Sequence, residues 1–378
     1  MKRFCIVLFL LASVAAAQTS PRVRALLLEQ QGKNAEAEQA WRAILQTEPG
    51  NAEALAHIGL DEARQDRYDQ AISYYRKALA IDPAIPALRL NLGLAYFKSS
   101  HFKEAAQEFA IELRRHPGDL RLNTLLGMAH YGAAQYGEAV PYLRTAAAAD
   151  PKNLPLRLAL AHSCMWSKQP KCVMAVYKEI LALNADSAEA DMLAGEALDE
   201  MGDNAGALAQ FRAAEQANPK EPDVHFGIGY MLWTQKRYAE AAKEFEAELA
   251  NDPQHSECRA YLGDIYLQLN DYPKAKAELE KAVVTDPKLE LIHLDLGIIY
   301  AQDGRNQDAL KEFRRAIELD PQDADPHWRL GKLYMAMGKR SEANAEFALV
   351  RTMKRKQQQD LYEKISHAHR PAAQADHP

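Results

Sequence analysis

Two cysteines and a histidine hold most of the chemistry this sequence offers. Cys164 and Cys172 stand eight residues apart, with His162 close by. Three outcomes are open to such a set: a disulfide, a pair of reduced buried thiols, or a metal or redox site that draws on His162. The spacing is not Cys-x-x-Cys and only one histidine is near, which leaves a metal short of ligands. A disulfide closing so short a loop adds about 2.5 kcal/mol in the chain-entropy model. Cys258 has no partner in sequence and reads as a buried free thiol. His225, His293 and His327 are separated by multiples of 34 residues. In stacked helical repeats such neighbours sit about 10 Å apart, too far to share an ion bound at about 2.0–2.1 Å. His367 and His369 lie near the C-terminus with nothing around them to complete a site. No Gly-x-Ser-x-Gly, His-Glu-x-x-His, Walker loop, Gly-x-Gly-x-x-Gly or Cys-x-x-Cys-His occurs. An enzyme would have to borrow groups such as Glu196 and His162, and no acid–base constellation surrounds them. No catalytic residue, metal-ligand set or cofactor is therefore expected.

The elements that position these residues are set by composition and repetition. The chain has 378 residues, 48% hydrophobic and 26% charged, with 46 Lys+Arg against 52 Asp+Glu and net charge −6. Residues 1–17 carry Lys2 and Arg3 and no acid, so the remainder stands at −8, which argues against a nucleic-acid partner. At the N-terminus, Met1-Lys2-Arg3 precedes the apolar run Phe4–Val14, and Ala15-Ala16-Ala17 meets the small-x-small rule for signal peptidase. The expectation is a signal peptide over 1–17, a mature chain beginning at Gln18, and an exported protein, periplasmic in a bacterium or secreted. The run is too short to span a bilayer, which takes about 20 apolar residues, so no integral membrane span is expected.

A 34-residue period governs the rest. Prolines stand at 49, 83, 117, 151, 219, 253, 287 and 321, and Ala185 holds the one missing place. Twelve residues before each of these positions comes Ala37, Ala71, Ala105, Ala139, Val173, Ala207, Ala241, Ala275 or Ala309. Four residues further on comes a large apolar side chain, as in Trp41, Tyr75, Phe109, Phe211, Phe245 and Phe313. A small residue lies twenty-four before each proline position from the second onward: Gly59, Gly93, Gly127, Ala161, Gly195, Gly229, Gly263, Gly297. Each unit reads as a helical hairpin. Its first helix has apolar residues at three- and four-residue spacing, and its second ends at a proline that cannot enter a helix interior. The small columns are expected where two helices cross, and the aromatic column to fill the gap against the next hairpin. One hairpin cannot bury its apolar face alone, so neighbours must stack.

These residues resemble the tetratricopeptide repeat family. Its Leu-Gly-x-x-Tyr…Ala-x-x-x-Phe…Pro pattern stands complete in Leu92-Gly93-x-x-Tyr96…Ala105-x-x-x-Phe109…Pro117, and again from Leu296 to Pro321. The resemblance covers about residues 18–353 as ten repeats and implies an all-α, right-handed superhelical solenoid. A capping helix is expected over 354–367 and a disordered tail over 368–378. One departure is consistent: the family's Trp three residues before the Leu is replaced by Leu55, Arg89, Asn123, Arg157, Asp191, His225, Arg259, His293 and His327.

In the resembled family the first helices line a concave groove that holds partner peptides. The matching positions are Leu90, Leu94, Phe97, Met128, Tyr131, Leu158, His162, Met165 and Trp166, and further on Phe226, Tyr230 and Trp233. Repeat six places acids there instead: Glu189, Glu196, Asp199 and Glu200. An apolar groove with an acidic interruption suits an apolar or amphipathic protein segment carrying some basic residues. Packing of the same stripe between hairpins is the competing reading. The family's carboxylate clamp is not expected, since only Asn91 and loosely Arg121 match it. Repeat five, which holds Cys164 and Cys172, has lost its Gly, Ala and Pro columns and has Pro170 for the usual turn aromatic. A disulfide there would staple a poorly packed hairpin. The expectation is a non-enzymatic scaffold. Its alternatives are a structural part of an envelope, secretion, pilus or polysaccharide-export assembly, and a thiol-redox or metal-binding protein.

Overall fold

The structure is a computed structural model that describes residues 20–368, with side-chain surroundings through residue 360. The expected signal peptide and all but the first residue of the expected tail lie outside those residues. Twenty α-helices and no strand occupy the described chain. They pair into ten hairpins, and these group into two units divided between Ala185 and Asp186, where the proline column is interrupted. The first unit holds α1 (Pro21–Gln30), α2 (Asn34–Thr47), α3 (Ala52–Arg64), α4 (Tyr68–Ile81), α5 (Leu88–Lys98), α6 (Phe102–Arg115), α7 (Leu120–Gly132), α8 (Tyr136–Ala149), α9 (Leu154–Trp166) and α10 (Pro170–Leu181). The second holds α11 (Ala188–Glu200), α12 (Asn204–Ala217), α13 (Val224–Thr234), α14 (Tyr238–Asn251), α15 (Ser256–Gln268), α16 (Tyr272–Thr285), α17 (Glu290–Gln302), α18 (Asn306–Leu319), α19 (Ala324–Ala336) and α20 (Arg340–Ala368).

Local chemistry sets the helix ends. Asn51, Asp119, Asn153, Ser187 and Asp323 cap first helices by accepting from backbone N–H groups. Second helices other than α10 and α20 stop at a non-helical C-cap followed by the column proline, as at Asp82 before Pro83 and Asp286 before Pro287. Each first helix ends in a Schellman turn: the Gln135 N–H donates to the His130 carbonyl at 2.9 Å and the Ala134 N–H to Tyr131 at 3.0 Å. That turn needs one left-handed residue per hairpin. It is Gly32, Gly202, Gly304 or Gly338 in four, and Asp66, Ser100, Ala134, Lys168, Lys236 or Asn270 in the others.

Packing corrects one expectation. The large column fills the crossing inside its own hairpin rather than only the gap to the next. A Cβ on Gly93 would meet the Phe109 ring at 2.6 Å, one on Gly229 the Phe245 ring at 2.7 Å, and one on Gly297 the Phe313 ring at 2.6 Å. The ring rests directly against bare backbone, so the small column and the large column are one contact. Phe211 also reaches forward, 3.0 Å from a Cβ on Gly227 of the following hairpin. Ala71, Ala105, Ala207, Ala241, Ala275 and Ala309 are completely buried beside these contacts.

The column that lacks tryptophan has its own rule. In five repeats its basic residue pairs with a glutamate nineteen residues later on the second helix: Arg89 with Glu108 at 2.8 Å, His225 with Glu244 at 2.9 Å, Arg259 with Glu278 at 2.8 Å, His293 with Glu312 and His327 with Glu346 at 2.6 Å. Arg157 departs from this and reaches Glu179, twenty-two residues on, at 3.1 Å. Where the column holds Leu55, the residue nineteen on is Tyr74, packed on the same apolar cluster. Each pair gives the two polar groups a hydrogen-bond partner at a position the family fills with an apolar ring.

Residues 354–367 form no helix of their own. They continue α20 without a break, and the side chains of Lys354 to Asp360 are exposed.

Candidate partner-binding site

Consecutive first helices touch each other: α3 with α5 and α7 with α9 in the first unit, α11 with α13, α13 with α15, α15 with α17 and α17 with α19 in the second. Second helices make no comparable contact among the described residues. Within each unit the first-helix layer therefore lies on the inside of the curve. The positions assigned to a groove belong to that layer.

In the first unit these residues divide by exposure. Leu90, Leu94 and Phe97 are half-buried and pack on the cluster of Ala105, Phe109 and Leu122. Met128, Leu158 and Met165 are also half-buried. At the end of the layer Tyr131, His162 and Trp166 come together. The Tyr131 hydroxyl and His162 Nδ1 are 3.2 Å apart, and the Trp166 ring stacks on His162 with centroids 5.0 Å apart. Tyr131 and Trp166 lie 6.1 Å apart. Tyr136, the first residue of α8, supports Trp166 with ring centroids 4.5 Å apart. Trp166 is 50% exposed, so this platform offers a large aromatic face to solvent. Cys164 and Cys172, on α9 and α10, are joined as a disulfide with Cα atoms 5.7 Å apart.

In the second unit Glu196 is exposed and Asp199 half-buried on α11. Desolvation raises both carboxyls from their ordinary values, and the Asp223 charge raises Glu196 further. A neighbouring cation would relieve both. Glu189 and Glu200 share the same helix. Phe226, Tyr230 and Trp233 meet, but around a residue the sequence reading missed. Tyr261 lies 5.9 Å from Phe226, 5.6 Å from Tyr230 and 5.0 Å from Trp233. The Trp233 Nε1–H donates to Asp264 Oδ2 at 2.6 Å. All three rings are half-buried against the core of this unit. A signal for this existed: Tyr261 and Asp264 lie on the first helix of the next repeat, 31 residues beyond Tyr230 and Trp233.

The histidine column holds one group with metal-like spacing. Glu215, His225 and Glu244 bring ligand atoms within 4.8 Å of one another. Arg212 reaches Glu215 and Glu244 at 2.8 Å each, so a positive charge already stands between those carboxylates. Among the described residues no helix is long and apolar enough to cross a membrane.

Comparison with known proteins matches this architecture. Two family models described as tetratricopeptide repeat match residues 90–153 with 192–256, and 130–197 with 232–294. A third, described as TPR repeat, matches 61–100 and 299–338. No curated protein matches the sequence. Among solved structures, a tetratricopeptide repeat protein from Parabacteroides merdae is 16% identical, covering 66% of this chain and 98% of that one at a TM-score of 0.49. YrrB, described as a TPR protein with an unusual peptide-binding site, is 21% identical over 50% of this chain and 97% of its own, at 0.39. Human IFIT1 is 16% identical over 87% and 88%, at 0.44. Ten hairpins at one pitch, each closed around a small-on-large contact and matched along most of their length by these repeat models, place the chain in the tetratricopeptide repeat family, as a scaffold of the protein-interaction kind.

Proposed function

We propose that the protein is an exported, non-enzymatic scaffold that holds a segment of a partner protein against its first-helix layer. The segment is apolar or amphipathic and carries basic residues. The observation that carries this reading is Trp166: a half-exposed indole, ordered by three neighbouring rings, on the inside of the curve. Ordered aromatics lose little conformational freedom on binding and dominate interfaces when a partner covers them. The acidic side chains of α11, Glu196 and Asp199 among them, stand in the same layer and support a basic residue in the segment. Export rests on Met1-Lys2-Arg3, the apolar core after it and Ala15-Ala16-Ala17. Mass measurement of the exported protein should show a chain beginning at Gln18; retained residues 1–17 would sink that part.

The test compares wild type with Trp166→Ala and Tyr131→Ala in capture from an envelope extract, then in binding curves with the protein captured. Loss of a central aromatic costs about 2 kcal/mol or more, about thirtyfold in affinity. Charge reversal at Glu196 and Asp199 should slow association and blunt its salt dependence. Circular dichroism melts run beside the binding curves. Folded Trp166→Ala protein that binds like wild type refutes the reading.

A further inference from the structure

The two bonded cysteines differ in surroundings. Cys164 lies in the last turn of α9 and is completely buried. Cys172 is the third residue of α10, is only half-buried, and has the guanidinium of Arg144 on α8 at 3.0 Å from its sulfur. A helix N-terminus and an adjacent arginine both favour a thiolate, while burial disfavours one. Cys258 supplies an internal control. It too is the third residue of its helix, α15, but it is buried among Glu248, Asp223, Glu257 and Asp252, and burial first, then those charges, push its thiol well up. The helix end is common to both residues, so exposure and the neighbouring charges, Arg144 at one and acids at the other, make the difference.

We propose that Cys164 and Cys172 form a reversible thiol–disulfide exchange site, with Cys172 as the sulfur that joins an external low-molecular-weight thiol and Cys164 as the resolving thiol. In the reduced protein the Cys172 thiolate attacks one sulfur of an external disulfide R–S–S–R′. The S–S bond breaks, R′–S⁻ leaves with the electron pair and takes up a proton, and a Cys172–S–S–R mixed disulfide remains. Cys164 then gives up its proton and attacks the Cys172 sulfur, and R–S⁻ departs and is protonated. The protein loses two electrons and the external disulfide gains them. An external dithiol runs the sequence backwards. The pair bridges the turn Ser167–Gln169, which follows directly on Trp166, so Trp166 fluorescence reports its state. The inference does not depend on what the first-helix layer binds.

The experiment uses the full chain with Cys5→Ser and Cys258→Ser, so that only the pair can react. In Cys164→Ser on that background, alkylation of Cys172 by iodoacetamide is followed across pH by mass spectrometry. The midpoint should fall below the ordinary thiol value of about 8.5. Arg144→Ala should raise it by about one pH unit, and Arg144→Lys should restore it. At pH 7 a thiol one unit lower is about eightfold richer in thiolate, and its weaker nucleophilicity takes back about threefold. The midpoint is therefore the sharper reading. Glutathione disulfide should add one glutathione to Cys164→Ser and none to folded Cys172→Ser. If Cys164→Ser does not fold, peptide mapping of the reduced parent after brief alkylation should find Cys172 modified before Cys164. A midpoint at or above 8.5, indifference to Arg144, or Cys164 reacting first overturns the proposal.

Discussion

Every first helix ends in a turn with one left-handed residue, and the chain supplies glycine there in only four of ten hairpins. This makes a paired test with opposite signs. A non-glycine residue in the left-handed region costs roughly 1–2 kcal/mol. Glycine gives back about 0.4–1 kcal/mol through the greater freedom of the unfolded chain. The difference is about 0.5–1 kcal/mol in favour of glycine. At Gly202, with φ +81° and nothing within 4 Å of an added Cβ, alanine adds backbone strain without a clash. Gly202→Ala should therefore destabilise by about 0.5–1 kcal/mol. Ala134, with φ 56°, and Ser100, with φ 63°, have exposed side chains. Ala134→Gly and Ser100→Gly should each stabilise by about 0.5–1 kcal/mol. The assay is equilibrium urea denaturation by circular dichroism, with slopes compared to exclude a change in the unfolded state. Stacked repeats need not unfold in one step, so the two glycine substitutions are placed in the same unit. Gly202→Ala at wild-type stability, or a less stable Ala134→Gly with unchanged slope, refutes the strain argument.

Other substitutions test the packing and the buried charges. Gly93→Ala and Gly297→Ala push a methyl into the Phe109 and Phe313 rings at 2.6 Å and should cost about 1–3 kcal/mol by overpacking; thermal melts read this, and an unchanged melting temperature would mean that the rings shift freely. Asp61 is completely buried and leaves Oδ2 without a partner, and desolvation first, then the Glu29 charge, raise its pKa to about 7. Because the folded value lies above the unfolded one, its contribution is fully present below about pH 3.8 and is lost as pH rises through 7. At about 1.4 kcal/mol per pH unit, the ceiling is about 4 kcal/mol. Asp61→Asn should flatten the pH 4–8 stability profile and be the more stable protein at pH 8; a variant that parallels wild type across that range counts against this. Trp233→Ala should lower the melting temperature more than Trp166→Ala, because Trp233 is tied to Asp264 and Tyr261 whereas half of Trp166 faces solvent.

The repeat made most of the fold legible from residues alone. Each hairpin contacts chiefly its neighbours, so a one-dimensional pattern carries nearly complete information on which element meets which. The proline, alanine and glycine columns placed ten hairpins and their turns, and the gap at Ala185 marks the division between two units. The basic-to-glutamate pairs nineteen residues apart were also written in the sequence, as a spacing shared by Arg89, His225, Arg259, His293 and His327. The signal passed unread because each pair joins two helices rather than two positions in one column.

What the period could not convey is how much of a side chain its neighbours leave uncovered. Trp166 and Trp233 both stand near the end of a first helix, and sequence treats them alike. Tyr261 and Asp264 of the next hairpin take up one, while Tyr136 only props the other. Cys172 and Cys258 likewise share the third place of a helix, yet Arg144 faces one and four acids surround the other. Periodicity fixes backbone position, which depends on local propensity and pitch. Exposure and local charge depend on side chains arriving from other helices, and only the folded stack decides those.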